Sequence, residues 1–261
     1  DDIGGQVLPQ GEDEPRMDNM RRPRNGTFYH YGLATLAESA AAIEPSKGGN
    51  AVCEIFGNYG WAEGVRLEKY LADHFLVRGI NWFVPHAFSG KAFPDPDCPP
   101  HFYAHGHNPQ YRHFGRLMAY MNRVATLTSA GAHEAPVAVL YHGEAEWCDP
   151  GAMPFEQVVR PLYDDQIACR VLPADVFSEP GRYQTELGNP LIVNGQPYRA
   201  FVVPGAARMP AAAANALAEL SQKGLPVFFA GSRPAALCEG GPLPAALAAC
   251  PVVELVARLY E

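Results

Sequence analysis

Glu54 is the residue around which chemistry in this chain can be organised. It lies in Ala51-Val-Cys-Glu-Ile-Phe-Gly-Asn-Tyr-Gly-Trp-Ala-Glu63, an apolar run that breaks at Gly57 and passes Tyr59, Gly60 and Trp61 before a helical pattern begins. In a β/α protein such a strand carries an acid to the mouth of a site. Tyr59 and Trp61 add ring faces suited to the C–H face of a sugar, or else serve as ordinary core or rim aromatics. An acid between aromatic faces points to glycosidic-bond chemistry; its alternative is a solvated acid at a strand end. His86 closes a second apolar run, Ile80 to His86, where it either meets a sugar hydroxyl or merely ends the strand. Trp82, within that run, is either a third ring for a sugar face or, more readily, a buried mid-strand residue.

Two other constellations deserve weighing. His101, His105 and His107 have an H-x3-H-x-H spacing, but on an irregular stretch with no fourth ligand in pattern, so no metal is expected. Cys148, with His142 and Glu144, would suit a cysteine hydrolase or amidotransferase. It sits among Trp147, Asp149 and Pro150, however, rather than in a Gly-x-Cys-x-Gly elbow. Glu144 and Glu146 read as loop acids after a strand.

The elements that must position these residues follow from hydrophobic spacing. A polar, Pro- and Arg-rich stretch runs to about residue 27, after Asp1 to Val7, which resembles the end of a strand. A helix from Phe28 places Tyr29, Leu33, Leu36, Ala37, Ala40 and Ile43 on one face. A second helix carries Leu67, Tyr70, Leu71 and Phe75, with Gly79 as its C′ residue. With the strands before and after, it makes a parallel βαβ unit. Residues 87–111 form a loop rich in Pro, His and aromatics, and a third helix puts Phe114, Leu117, Met118, Met121, Val124 and Ala125 on one side.

A fresh α/β alternation begins after 132–135. Strands are expected at 136–142, 169–172, 199–204 and 226–230, with a hairpin at Asn194-Gly195. A helical segment over 154–168 is expected to break at Pro161. A helix should span Pro210 to Lys223, and the apolar stretch 245–260 is undecided. The alternation describes a flavodoxin-like open sheet.

Bulk properties narrow the partners. The 261 residues are 48% hydrophobic and 18% charged, which fits a folded chain. A net charge of -8 and a pI near 5.6 argue against nucleic acid but not against a neutral sugar. No apolar run reaches the roughly 20 residues of a membrane helix. The six cysteines form no C-x-x-C pair, so no disulfide framework is expected, which leans towards a reducing, cytoplasmic setting. Nothing in the sequence calls for a cofactor.

The string CEIFGNYGWAEGVRLEKYLADHFLVRGINWFVPHAF, followed by FPDPDCPPHFYAHGHNPQYRHFGRLMAYMN and VAVLYHGEAEW, resembles a family of large bacterial glycoside hydrolases. They are related to the clan of the family 42 β-galactosidases. That resemblance implies a (β/α)8 catalytic barrel followed by a class I glutamine amidotransferase-like, flavodoxin-like domain, often called the trimerisation domain. By its pattern residues 1–133 are the last part of the barrel and 134–261 the accessory domain. Glu54 falls on the nucleophile after the seventh strand, or on the base of an inverting enzyme, and the general acid lies upstream. Asp2 and Gln6 would end the sixth strand and join Tyr59, Trp61 and His86 around a carbohydrate. A barrel needs about 200–250 residues, more than the first domain supplies, so the chain is expected to be a fragment. A partial barrel leaves open strand edges, and a homo-oligomer is expected. The competing reading is a non-catalytic assembly or carbohydrate-binding module.

Overall fold

The structure, a computed structural model, describes residues 27–254 except 58 and 98, and only the backbone of Cys148. The expected roles of Asp2 and Gln6 fall outside the described residues. The chain divides into two compact units: one runs up to Glu38 and resumes over Asn50–His133, and the other takes Ser39–Gly49 and Glu134 onward. The division runs through a helix, α1 (Leu33–Ile43), which is preceded by a π-helical turn over Phe28–Gly32.

In the first unit, β1 (Val52–Ile55), α2 (Val65–Leu76) and β2 (Trp82–Pro85) make a parallel β-α-β motif, followed by α3 (Tyr111–Ser129). Leu71, Ala72, Phe75 and Leu76 of α2 are buried, each large side chain contributing about 1.5–3 kcal/mol. Gly79 ends α2 as a Schellman motif. Its φ of +87° lets the N–H of Ile80 reach Phe75 O at 3.1 Å and its own N–H reach Leu76 O at 3.1 Å. Ile80 and Phe75 are both buried and supply the apolar contact that accompanies this motif.

The register Val52↔Trp82, Cys53↔Phe83, Glu54↔Val84 puts Val52, Glu54, Trp82 and Val84 on one face of the pair. Cys53 and Ile55, on the other face, are buried, whereas Val52 is 60%, Trp82 62% and Val84 55% exposed. The expectation of a strand buried on both sides, with Trp82 inside it, is therefore corrected. Its apolar composition is real, but among the described residues only one face of the pair is covered. An open pocket of about 470 Å³ lies between β2 and α3, lined by Trp82, Phe83, Pro85, Met118 and Met121 among others.

The face of α1 is also corrected. Ala40 is exposed, while Thr35, Glu38 and Ser39 are buried. These polar residues are buried because they have partners. Glu38 Oε1 lies 3.0 Å from His133 Nδ1 in the first unit. Ser39 Oγ accepts the N–H of Val171 at 2.9 Å in the second. Spacing of apolar residues cannot reveal such partners.

The second unit is built on five parallel strands: β3 (Val137–Leu140), β4 (Cys169–Leu172), β7 (Ala200–Pro204), β9 (Val227–Ala230) and β11 (Val252–Val253). Their spatial order is β11-β9-β7-β3-β4. Counted along the chain, that is the 2-1-3-4-5 order. β4 and β7 are almost continuously buried, as parallel strands covered on both sides must be. Between the strands lie α4 (Gly143–Cys148), α5 (Glu156–Asp164), α6 (Asp175–Ser178), α7 (Pro180–Tyr183) and α8 (Ala211–Gln222). β5 (Leu191–Val193) and β6 (Gln196–Tyr198) form the hairpin expected at Asn194-Gly195. β8 (Arg208–Met209) pairs in parallel with β10 (Ala236–Leu237). The core joins Leu140, Leu172, Phe201, Val203 and Phe229 to Leu217 and Leu220 of α8.

Two expectations fail here. Glu144 and Glu146 lie on the short helix α4, not a loop. Pro161 stays inside α5 rather than breaking it, because its missing N–H costs one bond, and the next turn closes with Asp165 N–H on Pro161 O at 3.1 Å. In the undecided stretch from 245, Ala245–Ala249 is a 3-10 turn leading into β11. Among the described residues no helix is long and apolar enough to cross a membrane.

Candidate functional site

β1 and β2 run parallel and bring their C-terminal ends together. The N–H of His86 donates to Ile55 O at 2.8 Å, so the residue after β2 is fastened to the end of β1. Glu54 and His86 thus sit at the same end of the pair. Glu54 is half-buried on the open face, and among the described residues no hydrogen bond or ion pair engages its carboxylate. Its neighbours on that face are apolar. His86 is half-buried, and its enclosed Nδ1 has no hydrogen-bond partner among the described residues.

Past β1 the chain turns sharply. Phe56 adopts φ +78°, a rare conformation for a bulky residue, and such backbone concentrates at functional sites. Its buried ring meets Phe102 edge-on at 6.2 Å, which ties the loop after β2 to the end of β1. Tyr59 is buried and presents no open ring face. Trp61 is exposed and meets Phe93 and His101 edge-on at 5.8 and 5.7 Å.

The loop after β2 is held by its own polar groups. Ser89 Oγ donates to Asp95 at 2.6 Å, and Lys91 bridges to Asp97 at 2.9 Å. The Ser89 hydroxyl, the Asp97 N–H and nearby positive charge hold the Asp95 carboxyl below its usual range. The three loop histidines are used separately. His101 Nε2 lies 2.8 Å from Asp97 O, His105 Nε2 lies 2.7 Å from Lys91 O, and His107 stacks on Phe93 at 4.2 Å. Among the described residues no group of three or more His, Cys, Asp or Glu side chains is placed to hold a metal ion.

Sequence reasoning missed two features. The first is a pair of buried acids. Glu63 is only 6% exposed, and among the described residues neither of its oxygens has a hydrogen-bond partner. Burial, reinforced by the charge of Glu68, pushes its pKa to about 9; burial alone takes Glu68 to about 7. Because the Glu63 oxygens are sealed from solvent, it cannot hand a proton to a substrate in this arrangement. Nothing in the sequence distinguishes it from a solvated acid opening a helix. The second is the set of exposed loop aromatics Phe88, Phe93, Tyr103 and Tyr111. Its signal was present in the Pro-, His- and aromatic-rich composition of residues 87–111.

In the second unit, the residue two positions after β3 packs against the end of β7 and the segment that follows it. His142 is fully buried, with Nδ1 3.1 Å from Pro204 O and Nε2 3.2 Å from Arg208 O. Burial lowers its pKa against the opposing pull of those carbonyls. With both ring nitrogens facing backbone carbonyls, His142 is not free to act as base to a cysteine. The loop after α4 covers the same strand end, with Met153 N–H donating to Gly205 O at 2.7 Å.

Solved structures share this fold. The chain matches a rhamnosidase from Novosphingobium sp. PP1Y with TM-score 0.52 and 19% identity, over 78% of this chain and 20% of that one. It matches a catalytic mutant of Gan42B, a GH42 beta-galactosidase from G. stearothermophilus, with TM-score 0.58 and 12% identity, over 85% of this chain and 32% of that one. A further Gan42B structure gives TM-score 0.54 and 11% identity, over 88% of this chain and 34% of that one. The chain therefore spans a fifth to a third of the length of these proteins. No protein-family model matches the sequence, and no curated protein does.

Proposed function

We propose that this chain is part of a glycoside hydrolase in which Glu54 acts on the anomeric carbon. In a retaining reaction it attacks that carbon; in an inverting one it activates the water that does. The observation that carries the reading is the Glu54 carboxylate, unengaged among the described residues, on the open face of a parallel β-α-β motif, at the strand end to which His86 is fastened. The fold likeness to a rhamnosidase and a beta-galactosidase supports a carbohydrate as substrate. On this reading β1 and β2 are the last strands of a (β/α)8 barrel, residues 1–133 belong to it, and the open face is the barrel interior. The general acid comes from the part of the barrel outside β1 and β2, about 5–5.5 Å from Glu54 if configuration is retained and farther if it inverts.

Residues 134–261 we read as a flavodoxin-like accessory domain, a reading that the 2-1-3-4-5 strand order supports, and we assign it the role of holding copies of the protein together. A catalytic cysteine in that domain is disfavoured by the engagement of His142.

The test is hydrolysis of a panel of aryl glycosides by the native polypeptide and its Glu54→Gln and Cys148→Ala variants. Hydrolysis lost in Glu54→Gln and kept in Cys148→Ala is expected. Loss only in Cys148→Ala would move the chemistry to the second unit. Sugar binding without hydrolysis in any form would favour a binding module.

A further inference from the structure

The exposed loop aromatics carry an inference about the size of the substrate. Among the described residues, the large exposed apolar side chains between residues 87 and 111 are all aromatic: Phe88, Phe93 and Tyr103 in the loop and Tyr111 at the start of α3. Aromatic faces edged by polar groups suit pyranose rings, with their apolar C–H faces and rims of hydroxyls. Here the polar edges are supplied by the exposed His105 and His107 and the tyrosine hydroxyls.

The rings are also fixed in place. Phe93 and His107 lie nearly parallel, 13° apart at 4.2 Å, and Trp61 closes one side edge-on at 5.8 Å. Beneath them the loop is tied by Ser89–Asp95, Lys91–Asp97 and His105–Lys91 contacts. The N–H of Gly60 donates to Pro99 O at 2.9 Å, fastening the Trp61 segment to the same loop. A platform held this way loses little conformational freedom on binding.

We propose that Trp61, Phe93 and His107 form a binding face for a further sugar ring beyond the one that Glu54 attacks, so that the substrate is an oligosaccharide and not a simple monosaccharide glycoside. The inference rests on the glycosidase reading above. Trp61 lies in the loop after β1, the strand that carries Glu54, and Phe93 and His107 lie in the loop after β2, its parallel partner.

The experiment titrates the native polypeptide by calorimetry with galacto-, rhamno-, xylo- and manno-oligosaccharide ladders from monosaccharide to tetrasaccharide. One ladder is expected to bind about tenfold or more tightly on lengthening, and Phe93→Ala and His107→Ala should each remove about that gain. Phe93→Tyr, which keeps the ring, should retain it, separating lost stacking from lost folding. Affinity that is flat with length in every ladder, absent throughout, or unmoved by Phe93→Ala and His107→Ala overturns the proposal. Aryl-glycoside hydrolysis is measured on the same samples. Hydrolysis with flat ladders sinks the platform alone, whereas length-dependent binding without hydrolysis sinks the catalytic reading and leaves the platform standing.

Discussion

Replacing Glu63 with glutamine should stabilise the first unit, and by more as pH rises. Folding raises the Glu63 pKa from 4.5 to about 9, chiefly by burying it without a partner. Because the folded pKa lies above the unfolded one, the contribution of Glu63 is fully present below about pH 4.5 and is lost as pH rises towards 9. Across that window the unfolded chain releases a proton that the folded one keeps. Each pH unit then costs about 1.4 kcal/mol, so the accumulated loss near pH 7 is roughly 3 kcal/mol. Glutamine imitates the neutral acid and has no charge to bury. Wild type and Glu63→Gln should therefore be about equally stable near pH 4.5, with the variant gaining roughly 3 kcal/mol by pH 7. The assay is urea unfolding across this pH range in a Trp147→Phe background, so that fluorescence comes from Trp61 and Trp82 of the first unit. A difference between wild type and Glu63→Gln that does not change with pH would refute the reasoning.

Three further substitutions probe the fold. Gly205→Ala would place a Cβ 2.7 Å from Ala230 O and 2.8 Å from Ser232 Oγ, and should cost about 1–3 kcal/mol in denaturant unfolding. His142→Ala leaves a void and strands the carbonyls of Pro204 and Arg208; a loss of about 2–4 kcal/mol is expected from the same measurement. Trp82→Glu, on the open face of β2, should lower the tendency of the isolated chain to self-associate, read as mass by light scattering against concentration.

The parts of the fold legible in the sequence were those set by local chemistry. The β1-α2-β2 motif, Gly79 at the end of α2 and the Asn194-Gly195 hairpin each follow from spacing or turn preference. What was missed depends on partners far along the chain or on what covers a surface. Glu38 and Ser39 of α1 are buried because His133 and the Val171 N–H meet them. Trp82 reads as core because an apolar strand looks the same whether or not its second face is covered. Glu63 looked like any acid opening a helix, since burial without a partner leaves no mark on composition. Around the candidate site, Glu54 and His86 could be picked out because strand ends show in the sequence. The stacking of Phe93 on His107 could not, because it arises from the path of an irregular loop.

The most direct test of the central claim is rescue by azide. In the native polypeptide, Glu54→Gly should abolish hydrolysis of an activated aryl glycoside, and added azide should restore turnover with formation of a glycosyl azide. A small nucleophile would then occupy the space the carboxylate has left. Folding should be little affected, because the Glu54 carboxylate is unengaged among the described residues. A Glu54→Gly variant that hydrolyses the glycoside as fast as wild type would contradict the account.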